Sequence, residues 1–307
     1  MVRKSIIFIS ALTLILAACS ARGAQDASGK LKVLATTSIV GDVVAQVGGE
    51  HISLTVLLPL GADPHTFEPR PQDAAAIADA DLVFANGAGL EEFLHPLLES
   101  AGAEEELVEV SEGIALLPFE EHNHEGEKHE HEGGDPHTWM DPNNVITWVD
   151  NISAALSATD PAHAADYKVN AEAYAASLRD MDAWIRSEVT QVPTQNRGLV
   201  SDHAVLGYFA EKYGFEQIGT ITGSFSTGAS PSAQELAALE DDIHNFGVKA
   251  VFVSATVNPA LPAQVAQDTG VKLVTLYHAS LSAPGGEADS YVKLMRYNVS
   301  AIVEALK

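Results

Sequence analysis

Residues 161–189 read PAHAADYKVNAEAYAASLRDMDAWIRSEV, and no strand-like run interrupts them. Apolar side chains recur along this stretch at steps of three and four residues: Tyr167, Ala171, Tyr174, Leu178, Met181, Ile185 and Val189. That spacing places them on one face of a helix. At about 1.5 Å per residue, such a helix reaches roughly 40 Å, which is enough to run along two lobes. The stretch predicts a long linking helix that begins at Asp160-Pro161 and ends before Pro193.

On both sides of this helix, short apolar runs alternate with amphipathic stretches. The first half has strand-like runs at Lys32–Ala35, His51–Leu58, Leu82–Asn86 and Leu107–Val110. The second half repeats the scheme at Gly198–Ser201, Phe215–Gly219, Ala250–Ser254 and Lys272–Tyr277. Alternation of strands and helices is typical of parallel sheets covered by helices. We therefore predict an α/β fold in which two (β/α) lobes with parallel sheets are joined by one long helix.

The chain divides accordingly into an N-terminal lobe at 31–158, a linking helix at 159–192 and a C-terminal lobe at 193–307. Its 46% of hydrophobic and 19% of charged residues are typical of a globular protein. Its 42 acidic residues against 17 basic ones give a net charge of −25. Such a surface repels phosphate backbones, so we expect no nucleic-acid partner.

The first nineteen residues have the features of a lipoprotein signal peptide. A basic start is followed by an apolar run at 5–18 that is too short to span a bilayer comfortably. The run ends in Leu16-Ala17-Ala18-Cys19, which resembles a bacterial lipobox, where the cysteine is acylated and becomes the first mature residue. The alternative is a plain secretory peptide with an incidental cysteine. Residues 20–30 are rich in Gly, Ala and Ser and are predicted to be a tether.

The tetrapeptide Asp-Pro-His-Thr occurs twice, at Asp63–Thr66 and at Asp135–Thr138. Proline before histidine restricts the backbone and fixes the direction from which His65 and His137 approach a ligand. A single copy is compatible with an ordinary surface turn, in which Asp and Pro are common. The repetition favours a preformed ligand site.

Two further histidines follow predicted strands. His203 comes directly after the strand that opens the second half, and His278 follows the strand at Lys272–Tyr277. In open parallel sheets, ligands bind at the carboxyl ends of the strands. His203 is equally compatible with a core or helix-capping role. Imidazole donors favour zinc over manganese or magnesium, which prefer oxygen, although copper also accepts imidazole.

Residues 120–135 (EEHNHEGEKHEHEGGD) form an acidic segment with no apolar periodicity. We predict a surface loop that collects metal weakly as an auxiliary site, with His122, His124, His129 and His131 as its ligands. The alternative is a solvated polar loop. A loop that must be ordered on binding binds more weakly than a preformed site, so the main site is expected elsewhere.

Taken together, these motifs resemble the cluster A-I solute-binding proteins of ABC importers for zinc or manganese. The resemblance rests on the lipobox, DPHTFEP, the His-rich loop, DPHTWMDP, the long helix, SDHAVLGYFA and LSAPGGEADSYVKLMRYN. It implies two lobes bridged by a helix, with the metal held between them by His65, His137 and His203. Histidine as the third ligand, here His203, and a His-rich loop are typical of the zinc (ZnuA-like) branch. Manganese members commonly have Glu as this third ligand.

One position departs from the family pattern. Many relatives have a ligating aspartate where this chain has Ala279, whose methyl group cannot bind a metal. Water, another group or His278 next to it would then complete the coordination. Adjacent residues on a strand point to opposite faces, so His278 replaces the aspartate only if the chain has already left strand geometry.

The sequence therefore predicts a monomeric, extracytoplasmic lipoprotein. It would be held at the cell envelope by acylated Cys19, capture Zn²⁺ in the cleft and deliver it to the membrane permease of an ABC importer. The alternatives are a manganese- or iron-binding protein or an adhesin of the same family and, in a different class, a zinc hydrolase. No His-Glu-x-x-His helix supports the hydrolase, and we expect no enzymatic activity.

Overall fold

Two four-stranded sheets form the framework of the computed structural model, which describes residues 29–118 and 134–307. The first sheet has the order β2-β1-β3-β4 and contains β1 (Leu31–Ala35), β2 (Ile52–Val56), β3 (Leu82–Ala85) and β4 (Leu107–Glu109). The second has the order β6-β5-β7-β8 and contains β5 (Gly198–Ser201), β6 (Glu216–Thr220), β7 (Ala250–Ser254) and β8 (Lys272–Leu276). Every pairing within these sheets is parallel. The predicted α/β fold with two lobes is confirmed.

Helices connect the strands in both lobes. They are α1 (Ser38–Gly48), α2 (Pro71–Ala78), α3 (Leu94–Ala101), α4 (Pro142–Thr159), α5 (Ala164–Val189), α6 (Gly207–Tyr213), α7 (Ala233–Phe246), α8 (Ala260–Thr269) and α9 (Tyr291–Leu306). Within the two described ranges, none of the helices combines the length and apolar character that a membrane span requires.

The linking helix is α5, and all the residues of its predicted apolar face are buried. Its 26 residues correspond to a length of about 39 Å. It begins later than the sequence suggested, because Pro161–His163 form a separate 3-10 turn. Asp160 does not cap α5; instead its Oδ2 accepts hydrogen bonds from His163 Nδ1 at 2.6 Å and from the Tyr167 hydroxyl at 2.8 Å. The exact lobe boundaries stay a prediction.

Helix α4 is absent from the sequence-based prediction, and it packs along α5. Asp141 caps it by accepting a hydrogen bond from the Asn143 amide at 2.9 Å, and Pro142 occupies its first turn. Its buried face consists mainly of Val145, Trp148, Val149, Ile152 and Leu156. This spacing is a helical signal that the sequence did contain.

A single apolar core runs through both lobes and the linking helix. Along β1, Val33 and Ala35 belong to this central core, whereas Leu34 belongs to a smaller cluster on the opposite face of the sheet. That division follows from the alternation of side chains along a strand. A third cluster covers the outer face of the second sheet. The central core joins α5 firmly to both lobes.

We predict that Leu178→Ala lowers the free energy of unfolding by about 2–5 kcal/mol, because it leaves a cavity at a fully buried position of α5. Urea unfolding of the metal-free protein measures this. Val169→Ala is the matched control, since Val169 lies on the same helix and is 64% exposed. Equal effects of the two substitutions would contradict the assigned buried face.

Candidate metal centre

Three histidines meet where strands of the two sheets end. His65 lies in the loop after β2, His137 in the segment between β4 and α4, and His203 two residues after β5. His203 directly follows the carboxyl end of its strand, as the sequence analysis predicted, and His65 lies in the loop after the end of β2. The two lobes thus contribute to one group of side chains: His65 and His137 from the first lobe, and His203 from the second.

The three imidazoles face one another at short range. One ligand atom from each residue lies within 4.8 Å of the others. The Nε2 atoms of His65 and His137 are 3.2 Å apart. Two nitrogens bound tetrahedrally to one zinc ion at about 2.0–2.1 Å would be separated by about 3.3 Å. The observed separation of the first two nitrogens therefore fits a shared ion.

Carboxylates fix the orientation of two of these rings. His137 Nδ1 lies 2.7 Å from Asp135 Oδ1, and His203 Nδ1 lies 3.1 Å from Asp202 Oδ1. A proton on Nδ1 that is donated to the carboxylate leaves Nε2 free to bind a metal, the usual arrangement around protein-bound zinc. Asp135 Oδ1 also accepts the amide of His137 at 2.9 Å. Because the acid lies two residues before the histidine, one carboxylate holds both the backbone and the ring.

The first Asp-Pro-His-Thr copy uses its aspartate in a related way. Asp63 Oδ1 accepts the amide of His65 at 3.0 Å, which forms the same local turn as in the second copy. Its Oδ2 accepts the Thr227 hydroxyl at 2.5 Å. Thr227 belongs to the second lobe, so this aspartate ties the His65 loop across the cleft.

Burial disfavours the protonated form of two of these rings, His65 and His137. Desolvation, followed by repulsion from the neighbouring His203, lowers the pKa of His65 to about 4. The same causes hold the pKa of His137 well below its ordinary value. A neutral imidazole has a free lone pair, which metal binding requires. The rings of His65 and His137 are therefore able to bind a metal ion at neutral pH.

His278 lies beside this group rather than within it. Its ligand atoms cluster with those of Asp202 and His203, and its ring centroid is 5.2 Å from that of His203. Its carbonyl accepts a hydrogen bond from Trp139 Nε1 at 3.0 Å. The next residue, Ala279, is buried and offers no ligand atom.

The buried residue Glu91 supports the segment that contains His137, and no sequence motif predicted this role. Glu91 accepts hydrogen bonds from the Thr36 hydroxyl and from the amides of Asn86 and Gly87. The side-chain amide of Asn86 in turn donates to the carbonyl of Pro136 at 3.0 Å. Burial raises the pKa of Glu91 to about 7, and these hydrogen bonds offset part of the shift.

Serine hydroxyls join the loops of the two lobes close to the site. Ser280 Oγ accepts the amide of Gly61 at 2.9 Å, and Ser38 Oγ accepts the amide of Leu281 at 2.9 Å. The two hydroxyl oxygens are 3.3 Å apart. The loop that contains His278 is therefore attached to helix α1 and to the loop that contains His65.

The remaining predicted site residues lie outside the described part of the chain. These are the lipidation residue and the histidines of the auxiliary loop: Cys19, His122, His124, His129 and His131. Most of the tether at 20–30 lies outside it as well.

A cluster of imidazoles between two parallel-sheet lobes joined by one helix defines a class of metal-binding proteins with two lobes. Comparison with known families agrees: residues 33–305 match the family described as "Zinc-uptake complex component A periplasmic". The chain belongs to this family of metal-binding solute-binding proteins.

Individual relatives cover nearly the whole chain. The manganese-binding lipoprotein MntA of Halalkalibacterium halodurans is 35% identical, over 97% of this chain and 96% of the relative. The manganese transporter substrate-binding lipoprotein PsaA of Streptococcus mitis is 30% identical, over 98% of this chain and 97% of the relative.

Solved structures show the same architecture. The periplasmic zinc-binding protein TroA from Treponema pallidum superposes with a TM-score of 0.80 at 26% identity, covering 91% of this chain and 99% of TroA. A manganese-bound periplasmic metal-binding protein from Candidatus Liberibacter asiaticus gives 0.79 at 27% identity, covering 91% of this chain and 100% of that protein.

These findings establish the function at a coarse level. The protein is a periplasmic metal-binding component of an ABC transporter that works with a membrane permease, and it is not an enzyme. The predicted location outside the cytoplasm is confirmed. The resemblance to the family is confirmed too, but the zinc branch is not, since manganese-binding relatives are among the most similar proteins.

We predict that Glu91 lowers the stability of the metal-free protein as pH rises. Between its ordinary pKa of 4.5 and the folded-state value of about 7, the folded state binds more protons than the unfolded state. The free energy of unfolding therefore falls as pH rises through this window. Urea unfolding at several pH values should give a flatter dependence for Glu91→Gln than for wild type. Parallel curves would contradict the raised pKa.

Proposed function

We propose that this protein captures Zn²⁺ with His65, His137 and His203 and delivers it to the permease of its importer. The observation that carries the proposal is the group of three imidazoles with ligand atoms within 4.8 Å of one another. Two of the rings are almost fully buried, and two have Nδ1 next to a carboxylate. The ion is cargo rather than a resident cofactor, so the site has to bind it and also release it.

The donor atoms favour zinc at this position. Three imidazole nitrogens suit Zn²⁺, whereas Mn²⁺ prefers carboxylate, carbonyl and water oxygens. Asp135 and Asp202 are engaged by the Nδ1 atoms of His137 and His203 and orient those rings. The Nε2 separation of 3.2 Å between His65 and His137 supports the same assignment.

Manganese capture is the second candidate, because the names of MntA and PsaA report manganese. TroA, of the same fold, is named for zinc, so overall similarity does not separate the two metals. Adhesion to surfaces, the other family alternative, stays a hypothesis without support from a particular residue. The choice between zinc and manganese therefore rests on the donor atoms of the site.

Membrane attachment and auxiliary binding complete the proposal. Acylated Cys19 anchors the mature protein, in agreement with the lipoprotein names of its relatives. The histidine-rich segment at 120–135 acts as an auxiliary collector of metal. The proposed site needs no second copy of the chain, which is compatible with a monomer.

We predict that metal-free wild type binds Zn²⁺ more tightly than Mn²⁺ in a competition titration. His203→Glu replaces a nitrogen donor with oxygen and should shift the ratio of the two dissociation constants toward Mn²⁺ by about tenfold or more. His95→Glu is the control, since it makes the same replacement at an exposed position. Tighter Mn²⁺ than Zn²⁺ binding by wild type would overturn the zinc assignment.

Deletion of residues 120–134 distinguishes the contribution of the loop to zinc binding from that of the main site. We expect a lower total zinc stoichiometry with the tightest dissociation constant unchanged, because the three proposed main ligands lie outside the deleted segment. Metal analysis and isothermal titration calorimetry measure the two quantities. Loss of the tightest constant would show that the main site had been assigned to the wrong residues.

A further inference from the structure

We propose that Asp202, His203 and His278 form a second position for a divalent transition-metal ion, adjacent to the first and sharing His203 with it. The inference rests on the proposed function, since it adds a second position to the cleft that captures the cargo. Ligand atoms from the three residues lie within 4.8 Å of one another, and each residue is at most 2% exposed.

The distances fit a coordination sphere. Asp202 Oδ1 lies 3.1 Å from His203 Nδ1 and 3.4 Å from His278 Nε2. Ligand atoms at about 2.0–2.2 Å from a four-coordinate ion are separated by about 3.3 Å. A hydrogen bond from the Ser254 amide to Oδ2 of Asp202, at 3.0 Å, fixes the position of this carboxylate.

His278 provides the independent observation. Neither of its ring nitrogens has a hydrogen-bond partner among the described residues, although the ring is almost fully buried. A buried polar group without a partner is costly, and its presence requires an explanation. A metal ion bound to Nε2 would supply the partner for one nitrogen and leave the other protonated.

If Asp202 only oriented the ring of His203, the burial of the His278 ring nitrogens would stay unexplained. Hydrogen bonding from the amide and Nδ1 of His203 accounts for the position of that ring. It gives neither ring nitrogen of His278 a well-formed hydrogen bond, since Nε2 lies 3.4 Å from Asp202 Oδ1. A metal ion bound between these residues would engage both histidines.

The two positions exclude each other. A neutral imidazole has one nitrogen with a free lone pair. When His203 Nδ1 carries the proton, Nε2 is free for the position shared with His65 and His137. When the proton is on Nε2, Nδ1 can bind an ion together with Asp202 and His278. The cleft therefore holds one ion at a time, and the tautomer of His203 determines which position is filled.

The donor atoms set the class of ion. Two imidazoles and one carboxylate form the set that binds Fe²⁺ in many proteins, and the oxygen also suits Mn²⁺. The position shared with His65 and His137 has nitrogen donors alone. The second position is therefore the better one for Mn²⁺ or Fe²⁺, while zinc is favoured at the first.

The test uses the full-length protein with Mn²⁺ as the probe, because free Mn²⁺ is measured directly by its electron paramagnetic resonance signal. His65→Ala/His137→Ala removes the first position. We expect this double variant to retain one bound Mn²⁺. Adding His278→Ala should weaken Mn²⁺ binding by more than about a hundredfold, beyond the ten- to hundredfold effect of losing an outer partner.

The His278→Leu substitution fills the space of the ring without offering ligand atoms and should give the same loss of Mn²⁺ binding. It controls for misfolding caused by the cavity that alanine would leave. Thermal unfolding shows that each variant is folded, and the exposed His95→Ala added to the double variant is the matched control. Failure of the double variant to bind Mn²⁺, or a loss of a hundredfold or less on removal of His278, overturns the second position. Zinc titration of wild type and of the double variant tests the first position separately.

Discussion

Burial of several imidazoles at the junction of the two lobes is the constraint on which this structure depends. Desolvation lowers the pKa values of His65 and His137 and keeps their rings neutral. Repulsion among protonated rings would act in the same direction, because the centroids of His65, His137 and His203 lie 5.1–5.4 Å apart. The side chains of Asp135 and Asp202 lie within hydrogen-bonding distance of the Nδ1 atoms of His137 and His203, where they can accept a hydrogen bond from each ring. Selection for a metal site thus explains side chains that folding alone would not bury.

The way in which the lobes are joined limits how this site can open. One apolar core includes residues of both lobes and of α5. Serine and threonine hydroxyls connect the ligand loops across the cleft, as in the Ser38–Ser280 pair and the bond from Thr227 to Asp63. A stiff helix with a continuous core permits less hinge motion than flexible crossover strands would. His65 is the least buried of the grouped ligands, so access to the ion is easiest from its loop.

Much of this arrangement could be predicted from sequence, because it depends on local patterns. The strands were identifiable as apolar runs, and the repeated Asp-Pro-His-Thr motif led to His65 and His137. Helix α4 was missed although its apolar spacing was present. The Ser38–Ser280 contact joins residues 242 positions apart, and the hydrogen bonds to Glu91 come from Thr36 and two loop amides. Such pairings depend on tertiary packing and leave no local signal.

The place of His278 shows how a single position can change a metal site. Ala279 offers no ligand atom, and the adjacent imidazole of His278 lies against Asp202 instead of joining His65 and His137. Asp202, one position before His203, is the residue that supplies a carboxylate at this place in the cleft. Overall identity of 26–35% to proteins named for zinc and for manganese does not distinguish the metals. The candidate donor atoms are the feature that can distinguish them, and they come from residues whose spacing in sequence does not reveal which of them meet.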